Sequence, residues 1–345
     1  MPIYYEPIDR ASDVTTTRTL LHEVIPLTGT IVSGTYSDGN IKNYSHGMFQ
    51  SVYDYPYLSS SANHIFDLTI GYDESSPLSS SANAVQRSKK INLYNQYSQV
   101  LLGYTGSANE VRKFENDLTL DASAGNVMKE VFFVNFSRLL TKDEIKKGSF
   151  SITFGTGSWA DSATAAKSKT FTDVAASENS GILNTVGGDY GLLSHSSGVG
   201  GVIFYQAGIA VMSSSVFTGT TEFFSSSAGI KSFAQAAVSS SITASCDALR
   251  HRLHNVQFNN STEINSTIYF CRLSNNKFNY SSNPTYTNSG KIRVKADKRS
   301  NPPISYVTTV GLYNSQNELL AVAKLSEPLR KDPTNELTLR VRLDY

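Results

Sequence analysis

A repeated alternation of apolar and polar residues constrains the fold of this chain more than any other feature. Residues 149–155 read SFSITFG and residues 336–345 read ELTLRVRLDY, so that every second side chain over much of each stretch is apolar. Successive side chains of a β-strand point to opposite faces of the sheet. The pattern therefore predicts strands that bury one face and expose the other.

Other stretches also have the length and composition of strands. The run VFFVNF at residues 131–136 is almost entirely apolar and predicts a buried strand. Residues 200–212 (GGVIFYQAGIAVM) predict two short strands around a turn at 206–208. Residues 305–325 predict a β-hairpin, because two strand-like runs flank the Asn-rich sequence NSQNE. The predicted C-terminal strands are 254–258, 267–273, 291–295, 305–313, 319–325 and 337–343.

Helical signals are few. In residues 85–102, apolar side chains recur at three- and four-residue steps from Ile91 to Leu101, which predicts one helix that ends before Gly103. The sequence TKDE at residues 141–144 has the form of a capping box and predicts a single helical turn closed by Gly148. We therefore expect a mainly β chain, built of antiparallel β-sandwich or barrel domains with long loops and one or two short helices.

The sequence divides into four expected segments. Residues 1–50 are expected to form an extended N-terminal arm, and residues 51–128 a mixed segment that contains the helix. Residues 129–245 are expected to form a β domain with Ser/Gly-rich loops, and residues 246–345 a C-terminal antiparallel β domain. Residues 161–245 are low in charge and rich in Ser, Ala and Gly, so we expect long loops there or packing against other chains.

The composition excludes several functional classes. The 345 residues include 49 Ser, 29 Thr and 25 Asn, only 17% are charged, and the formal net charge is +1. There is no basic excess to attract nucleic acid and no acidic block typical of a disordered tail. The aromatic content of 11% is too high for a disordered chain. We therefore expect a folded, nearly neutral β protein with no nucleic-acid partner.

Signals for targeting and for disulfides are also weak. The N-terminal sequence lacks the basic and then apolar pattern of a secretory signal, and no run of 18 apolar residues predicts a membrane span. We expect a protein that is made in a cytoplasm and has no membrane partner. Cys246 and Cys271 are too few for a disulfide scaffold, and two free thiols or one disulfide both stay open.

No sequence pattern predicts a catalytic, cofactor or metal site. His195 lies among serines, but the Gly-x-Ser-x-Gly motif of a nucleophile elbow does not occur. His251 and His254 are three residues apart at the start of a strand-like run, where they would face opposite ways and not share a metal. The glycines at 155–157 and 198–201 lead into a loop and a strand, whereas a phosphate loop leads into a helix. Acidic residues are scattered, so no glycosidase pair stands out and we expect no enzymatic activity.

Tyrosines supply candidate contact residues. Their side chains combine a large apolar ring with a polar hydroxyl, so they are common at protein interfaces as well as in strands. The candidate interface residues are Tyr4, Tyr5, Tyr36, Tyr53, Tyr55, Tyr57, Tyr306, Tyr313 and Tyr345.

The C-terminal hairpin resembles a known group of proteins. Residues 306–313 (YVTTVGLY) followed by residues 317–324 (NELLAVAK) are similar to a motif in tail and baseplate structural proteins of tailed bacteriophages. Residues 278–284 (FNYSSNP) and 339–345 (LRVRLDY) resemble parts of virion proteins from large contractile-tailed phages. The resemblance covers about the last 100 residues and carries no catalytic residues.

The resemblance implies a virion structural protein, most readily a tail or baseplate component, that acts by multi-subunit assembly. Its partners would be copies of itself and other virion proteins, its location would be the virion, assembled in a host cytoplasm, and it would need no cofactor. Two alternatives stay open. One is a neck or capsid-associated decoration protein, and the other is a receptor- or carbohydrate-binding tail fibre module whose tyrosines stack on sugars.

Overall fold

The chain forms two compact units. Unit 1 comprises Met1–Leu20 and Glu263–Tyr345, and unit 2 comprises Leu21–Thr262. The computed structural model describes residues 5–25, 38–80, 84–105, 110–122, 125–159, 167–176, 180–218, 220, 223, 233, 240–281, 287–288, 291–292 and 303–345.

The fold is mainly β with antiparallel sheets, as the alternating patterns predicted, with 47% of residues in strands and 16% in helices. The strands are β1 Val14–Ile25, β2 Ile41–Asn43, β3 Gln50–Tyr53, β4 His64–Tyr72, β5 Glu130–Phe136, β6 Glu144–Ile145, β7 Ser151–Gly155, β8 Ser168–Thr172, β9 Ile182–Thr185, β10 Gly188–His195, β11 Gly198–Phe204, β12 Ile209–Ser213, β13 Leu253–Leu273, β14 Thr287–Asn288, β15 Lys291–Ile292, β16 Ser305–Tyr313, β17 Leu319–Lys331 and β18 Leu337–Asp344. The α-helices of the described residues are α1 Ala84–Leu101, α2 Arg138–Thr141 and α3 Ile242–Arg252.

The two units divide the chain differently from the four expected segments. In unit 2 the strand order is β13, β7, β8, β10, β11, β12, β5, β4, β3 and β2, with β6 beside β13 and β9 beside β10. Strand β5 lies between β4 and β12, with Val134 opposite Leu68 on one side and Ala210 on the other. Pairing between strands far apart in sequence therefore joins the end of the expected arm, the mixed segment and the expected β domain.

Strand β5 is buried on both faces of this sheet. Phe132 and Val134 belong to one apolar cluster, and Val131 and Phe133 belong to another. All four side chains have 0% of their surface exposed. The continuous apolar run at 131–136, which predicted a buried strand, is thus explained by a core on each side.

Helix α1 covers one of these faces, close to the predicted range. The ring of Tyr97 stacks on Phe133 with 4.0 Å between ring centroids. Gly71 of β4 allows the helix to approach closely, since a Cβ atom there would lie 2.9 Å from the backbone oxygen of Lys90. The helix is followed by Gly103 with φ of +78°, which confirms the predicted glycine end.

The helical turn predicted from residues 141–144 is wrong. Helix α2 ends at Thr141, where that turn was expected to begin, and Lys142 leaves the helix with φ of +55°. Residues 144–145 then pair with Asn260 and Ser261 as strand β6. Sheet pairing satisfies the backbone groups that a helical turn would have satisfied, so the tertiary context overrides the capping pattern.

The described part of the Ser/Gly-rich middle contributes to the core of unit 2. Strands β8 to β12 lie in this stretch, and the two predicted strands around 206–208 are β11 and β12. Val202 and Ile203 alternate between the two apolar clusters. Gly200 leaves room for a neighbouring ring, because a Cβ atom there would lie 2.2 Å from an atom of Phe171. Small residues here make space for large ones.

The part of β13 from Glu263 onwards belongs to unit 1. Unit 1 contains a sheet of this strand with β1 and β18, and a separate hairpin of β16 and β17. Strand β18 alternates as predicted, with Val341 buried between the exposed Arg340 and Arg342. The buried apolar side chains of unit 1 are few among its described residues. They are Ile268, Leu273, Leu312 and Val341, each 7–8% exposed.

Candidate functional site

The hairpin of β16 and β17 is the most distinctive surface of unit 1. Its predicted strands and turn are confirmed, and its strands pair from Ser305 opposite Lys331 to Tyr313 opposite Leu319. In the described part of the chain, these two strands pair with each other and with no other strand. Each therefore has one edge without a partner among the described strands, and such an edge is a template for pairing with another chain.

Polar contacts anchor the base of the hairpin. Lys331 is fully buried, and its ammonium group donates to the backbone oxygen of Asn275 at 3.3 Å, to Oδ1 of Asn279 at 2.7 Å and to the backbone oxygen of Asp332 at 2.9 Å. On the opposite strand, the hydroxyl of Ser305 donates to the backbone oxygen of Phe278. The base is thus held by hydrogen bonds instead of by a large apolar core.

The turn of the hairpin is closed by its own side chains. Oδ1 of Asn314 accepts hydrogen bonds from the backbone N–H groups of Gln316 at 2.9 Å and Glu318 at 2.8 Å. The Nδ2 group of the same residue donates to the Glu318 carboxylate at 2.7 Å, and Asn317 has φ of +65°. These contacts explain why the Asn-rich sequence forms a turn.

Between its base and its turn, the hairpin exposes apolar side chains. Leu320 is 68% exposed, Tyr306 59% and Val322 52%. Exposed apolar residues are common singly, but several of them on one hairpin make it a candidate interaction surface. We define the hairpin surface by its exposed apolar residues: Tyr306, Tyr313, Leu319, Leu320, Val322 and Leu329.

Aromatic packing orders the end of this surface near the turn. Gly311 leaves the space that the Tyr313 ring needs, since a Cβ atom at Gly311 would lie 2.9 Å from that ring. The ring of Tyr5 lies against Tyr313 with 4.9 Å between centroids. Lys277 binds the Glu6 carboxylate at 2.7 Å and so fixes the chain next to Tyr5.

The structure places the predicted tyrosines in different surroundings. Tyr5 and Tyr313 come together, and Tyr306 and Tyr345 are also exposed in unit 1. In unit 2, Tyr53 is half-buried against Tyr57, and Tyr55 and Tyr57 are exposed. Tyr4 and Tyr36 lie outside the described residues.

The aliphatic residues of the hairpin surface were not among the predicted contact residues, which were all tyrosines. Leu319, Leu320 and Val322 were assigned to a strand only. Two adjacent leucines on a strand point to opposite faces, so LLAV implies apolar side chains on both faces. The sequence LLAV could therefore have indicated apolar side chains available for contact on both faces of the hairpin.

The histidines and cysteines noted in the sequence have local roles. Nδ1 of His195 forms a 2.9 Å hydrogen bond with the hydroxyl of Ser197, two residues along the same turn. His251 stacks on Trp159 with 3.9 Å between centroids, and burial lowers its pKa. Cys246 and Cys271 are both free thiols, which settles the alternative left open by the sequence.

A fully buried carboxylate in unit 2 also has a structural role. Asp173 accepts hydrogen bonds from the backbone N–H groups of Gly148 at 2.8 Å and Phe150 at 2.9 Å, and from the Tyr205 hydroxyl at 3.0 Å. Burial raises the pKa of this carboxyl despite these donors, and burial also raises the pKa of Tyr205. All of the contacts tie strand ends together.

Searches for similar proteins found no matching family model, curated protein or solved structure. Of the helices that the structure describes, none combines the length and the apolar character needed to cross a membrane.

Proposed function

We propose that the chain is a bacteriophage virion structural protein, that it belongs to the tail or baseplate, as its C-terminal resemblance implies, and that it acts by multi-subunit assembly without catalysis. The observation that carries the proposal is the hairpin surface, because the residues that resemble phage tail proteins are the same residues that expose apolar side chains and free strand edges.

The contrast with the rest of the chain supports an interface function. Unit 2 buries large aromatic residues such as Phe132 and Phe154 almost completely, so this sequence is able to build a core. A two-stranded hairpin is marginally stable unless another surface packs on it. The hairpin surface therefore fits a strand pair that gains its remaining contacts in an assembly.

A second copy of the chain is the occupant that we propose for this surface. Strand edges pair through backbone groups, so two hairpins can extend each other's sheet, and the exposed apolar side chains of the two copies would pack together there. The formal net charge of +1 gives little repulsion between copies. Contact between identical surfaces also gives the closed symmetry that is usual in oligomers.

The test is self-association of a hairpin variant. Leu320→Ser combined with Val322→Ser removes exposed apolar area and should change the stability of the chain by less than about 1 kcal/mol. Sedimentation velocity across a range of protein concentrations should show an oligomer in the parent protein. The variant should dissociate at concentrations at least about tenfold higher, which corresponds to a loss of about 1.4 kcal/mol of association free energy.

The matched control changes two valines of unit 2 that are more exposed than Leu320 and Val322. Val174 and Val186 are 75% and 77% exposed, and neither belongs to the hairpin surface. Val174→Ser combined with Val186→Ser should leave association as it is in the parent protein. A monomeric parent protein, or equal losses in both variants, would contradict the proposed interface.

The location in a virion needs its own measurement. An electron-microscopy map of the particle would show whether the subunit lies in the tail or baseplate and whether hairpins of neighbouring copies meet. A position in the neck or capsid would favour the decoration alternative, and a chain that joins no particle would refute the virion proposal. Binding of the isolated chain to host cells would instead favour a receptor-binding module.

A further inference from the structure

Three carboxylates meet in a loop of unit 2 that the sequence did not single out. One oxygen from each of Glu115, Asp117 and Asp121 lies within 4.8 Å of the others. The neck of the loop is a short antiparallel bridge between Glu115 and Val127, reinforced by a 2.8 Å hydrogen bond from the Met128 N–H to the Phe114 oxygen. The backbone at the two ends of the loop is therefore held by hydrogen bonds.

Glu115 provides a second and independent observation. Its side chain is only 3% exposed. Its Oε1 atom accepts a 2.9 Å hydrogen bond from the Ala122 N–H, whereas its Oε2 atom is buried and makes no hydrogen bond. A buried carboxylate oxygen without a partner is costly, and it calls for a proton or a cation.

The carboxylates of Asp117 and Glu115 have different surroundings. Oδ1 of Asp117 accepts from the backbone N–H and the hydroxyl of Thr119, at 3.1 and 3.0 Å, and its Oδ2 accepts from the Asn126 amide. These donors fix the position of the Asp117 carboxylate in the loop. Burial raises the pKa of Glu115, and the charges of Asp117 and Asp121 raise it further. A cation placed between the three carboxylates would remove this repulsion.

The guanidinium group of Arg112 is hydrogen-bonded to the backbone near the carboxylates. This group donates to two backbone oxygens, of Tyr104 at 3.1 Å and of Leu120 at 3.3 Å. It therefore shapes the loop from outside the carboxylate group. The hydroxyl of Tyr190 similarly donates to the Asp117 backbone oxygen at 3.3 Å and holds the loop against the sheet.

We propose that Glu115, Asp117 and Asp121 form a binding site for a calcium-sized divalent cation that fixes this loop over the core of unit 2. Three carboxylate groups are hard oxygen ligands, which suit Ca²⁺ or Mg²⁺ better than metals that prefer nitrogen or sulfur. Calcium–oxygen distances of about 2.4 Å place two ligand atoms up to about 4.8 Å apart, and the cluster lies within that limit.

Thermal unfolding of the full chain tests this site. After chelation with EDTA, Ca²⁺ at about 100 times its dissociation constant should raise Tm by roughly 5–10 °C. Terbium(III) serves as a second measurement, because Tyr190 lies beside the loop and can sensitise its luminescence. Added Ca²⁺ should displace terbium and remove the emission.

The variants separate the site from general charge effects. Glu115→Gln should abolish the Tm shift, and Asp121→Asn, at an exposed position, should weaken calcium binding at least about tenfold. Glu110→Gln is the matched control, because Glu110 is exposed in the same part of the chain and outside the cluster. If Glu115→Gln does not fold, Asp121→Asn decides the result.

Three outcomes would overturn the site. One is a wild-type Tm that does not respond to Ca²⁺ and terbium emission that does not appear. Another is a control variant that loses as much of the Tm shift as Glu115→Gln does. The third is a Glu115→Gln variant that is more stable in EDTA while Ca²⁺ has no effect, which would show that a proton satisfies the buried oxygen.

Discussion

Strand β5 of unit 2 and strand β16 of unit 1 use similar residues in opposite ways. Both are rich in aromatic and β-branched side chains, and both lie where the sequence predicted them. Phe132 and Phe133 of β5 are completely buried, whereas Tyr306 of β16 is 59% exposed. Strand β5 has a neighbour on each side, but β16 pairs only with β17 among the described strands.

The difference separates two uses of apolar residues. In strand β5 the apolar side chains stabilise the folded chain, since the side chains of residues 131–134 are covered on both faces of the strand. In the hairpin of unit 1 they remain exposed while polar contacts hold the base, and under the proposed function they would be buried by a second copy of the chain. The comparison therefore predicts that substitutions in β5 reduce stability and that substitutions on the hairpin surface reduce association.

The largest expected effect is from Phe132→Ala. The Phe132 ring packs against Phe154 and Phe217 with centroid distances of 5.3 and 5.7 Å, so its removal leaves a cavity. We expect a loss of roughly 3–5 kcal/mol in the free energy of unfolding, measured by urea denaturation. Tyr306→Ala is the comparison in the hairpin and should cost less than about 1 kcal/mol. Equal losses would remove the distinction between the two strands.

A buried amine in unit 2 should make stability depend on pH. Lys90 is fully buried, and desolvation lowers its pKa from 10.5 to about 8. Below about pH 8 both the folded and unfolded chains hold the proton, so the folded state bears the whole cost of the buried charge. Between about pH 8 and 10.5 the unfolded chain binds more protons at this residue, so Lys90 by itself contributes a rise in stability with pH of about 3 kcal/mol.

The Lys90→Met variant checks that pH effect. It should flatten the rise in the free energy of unfolding between pH 8 and 10, measured by urea denaturation at each pH. Lys89→Met changes the adjacent amine, which donates to the backbone oxygen of His46 at 2.7 Å, and should keep the rise because Lys90 is still present. An unchanged slope in Lys90→Met would mean that another group causes it.

The buried lysine of unit 1, Lys331, is expected to stabilise the fold, whereas the buried charge of Lys90 costs stability. Lys331→Met removes the donor to three oxygen atoms at the base of the hairpin, and should cost roughly 2 kcal/mol. Lys324→Met, at an exposed position of the same strand, should change stability by less than about 0.5 kcal/mol. If both variants unfold at the same urea concentration, polar anchoring does not stabilise the hairpin.

The elements that could be read from the sequence are those with a local cause. Two strand-like runs around an Asn-rich turn were sufficient to predict β16 and β17, and the three- and four-residue spacing of apolar residues was sufficient to predict α1. The core position of residues such as Val202 depends on partners far away in sequence, which a local pattern does not reveal. The acidic loop was missed for the same reason, because the burial of Glu115 is not visible in the letters ENDLTLD.

Hydrogen–deuterium exchange at low and high protein concentration tests the central claim most directly, because it reports on both strands in one experiment. Amides of β5 should be protected at every concentration, since the strand is paired on both sides. Amides of β16 and β17 that face the free edges should become protected only as the concentration rises. Hairpin amides that exchange at the same rate at all concentrations, while another part of the chain becomes protected, would contradict the proposed assembly surface.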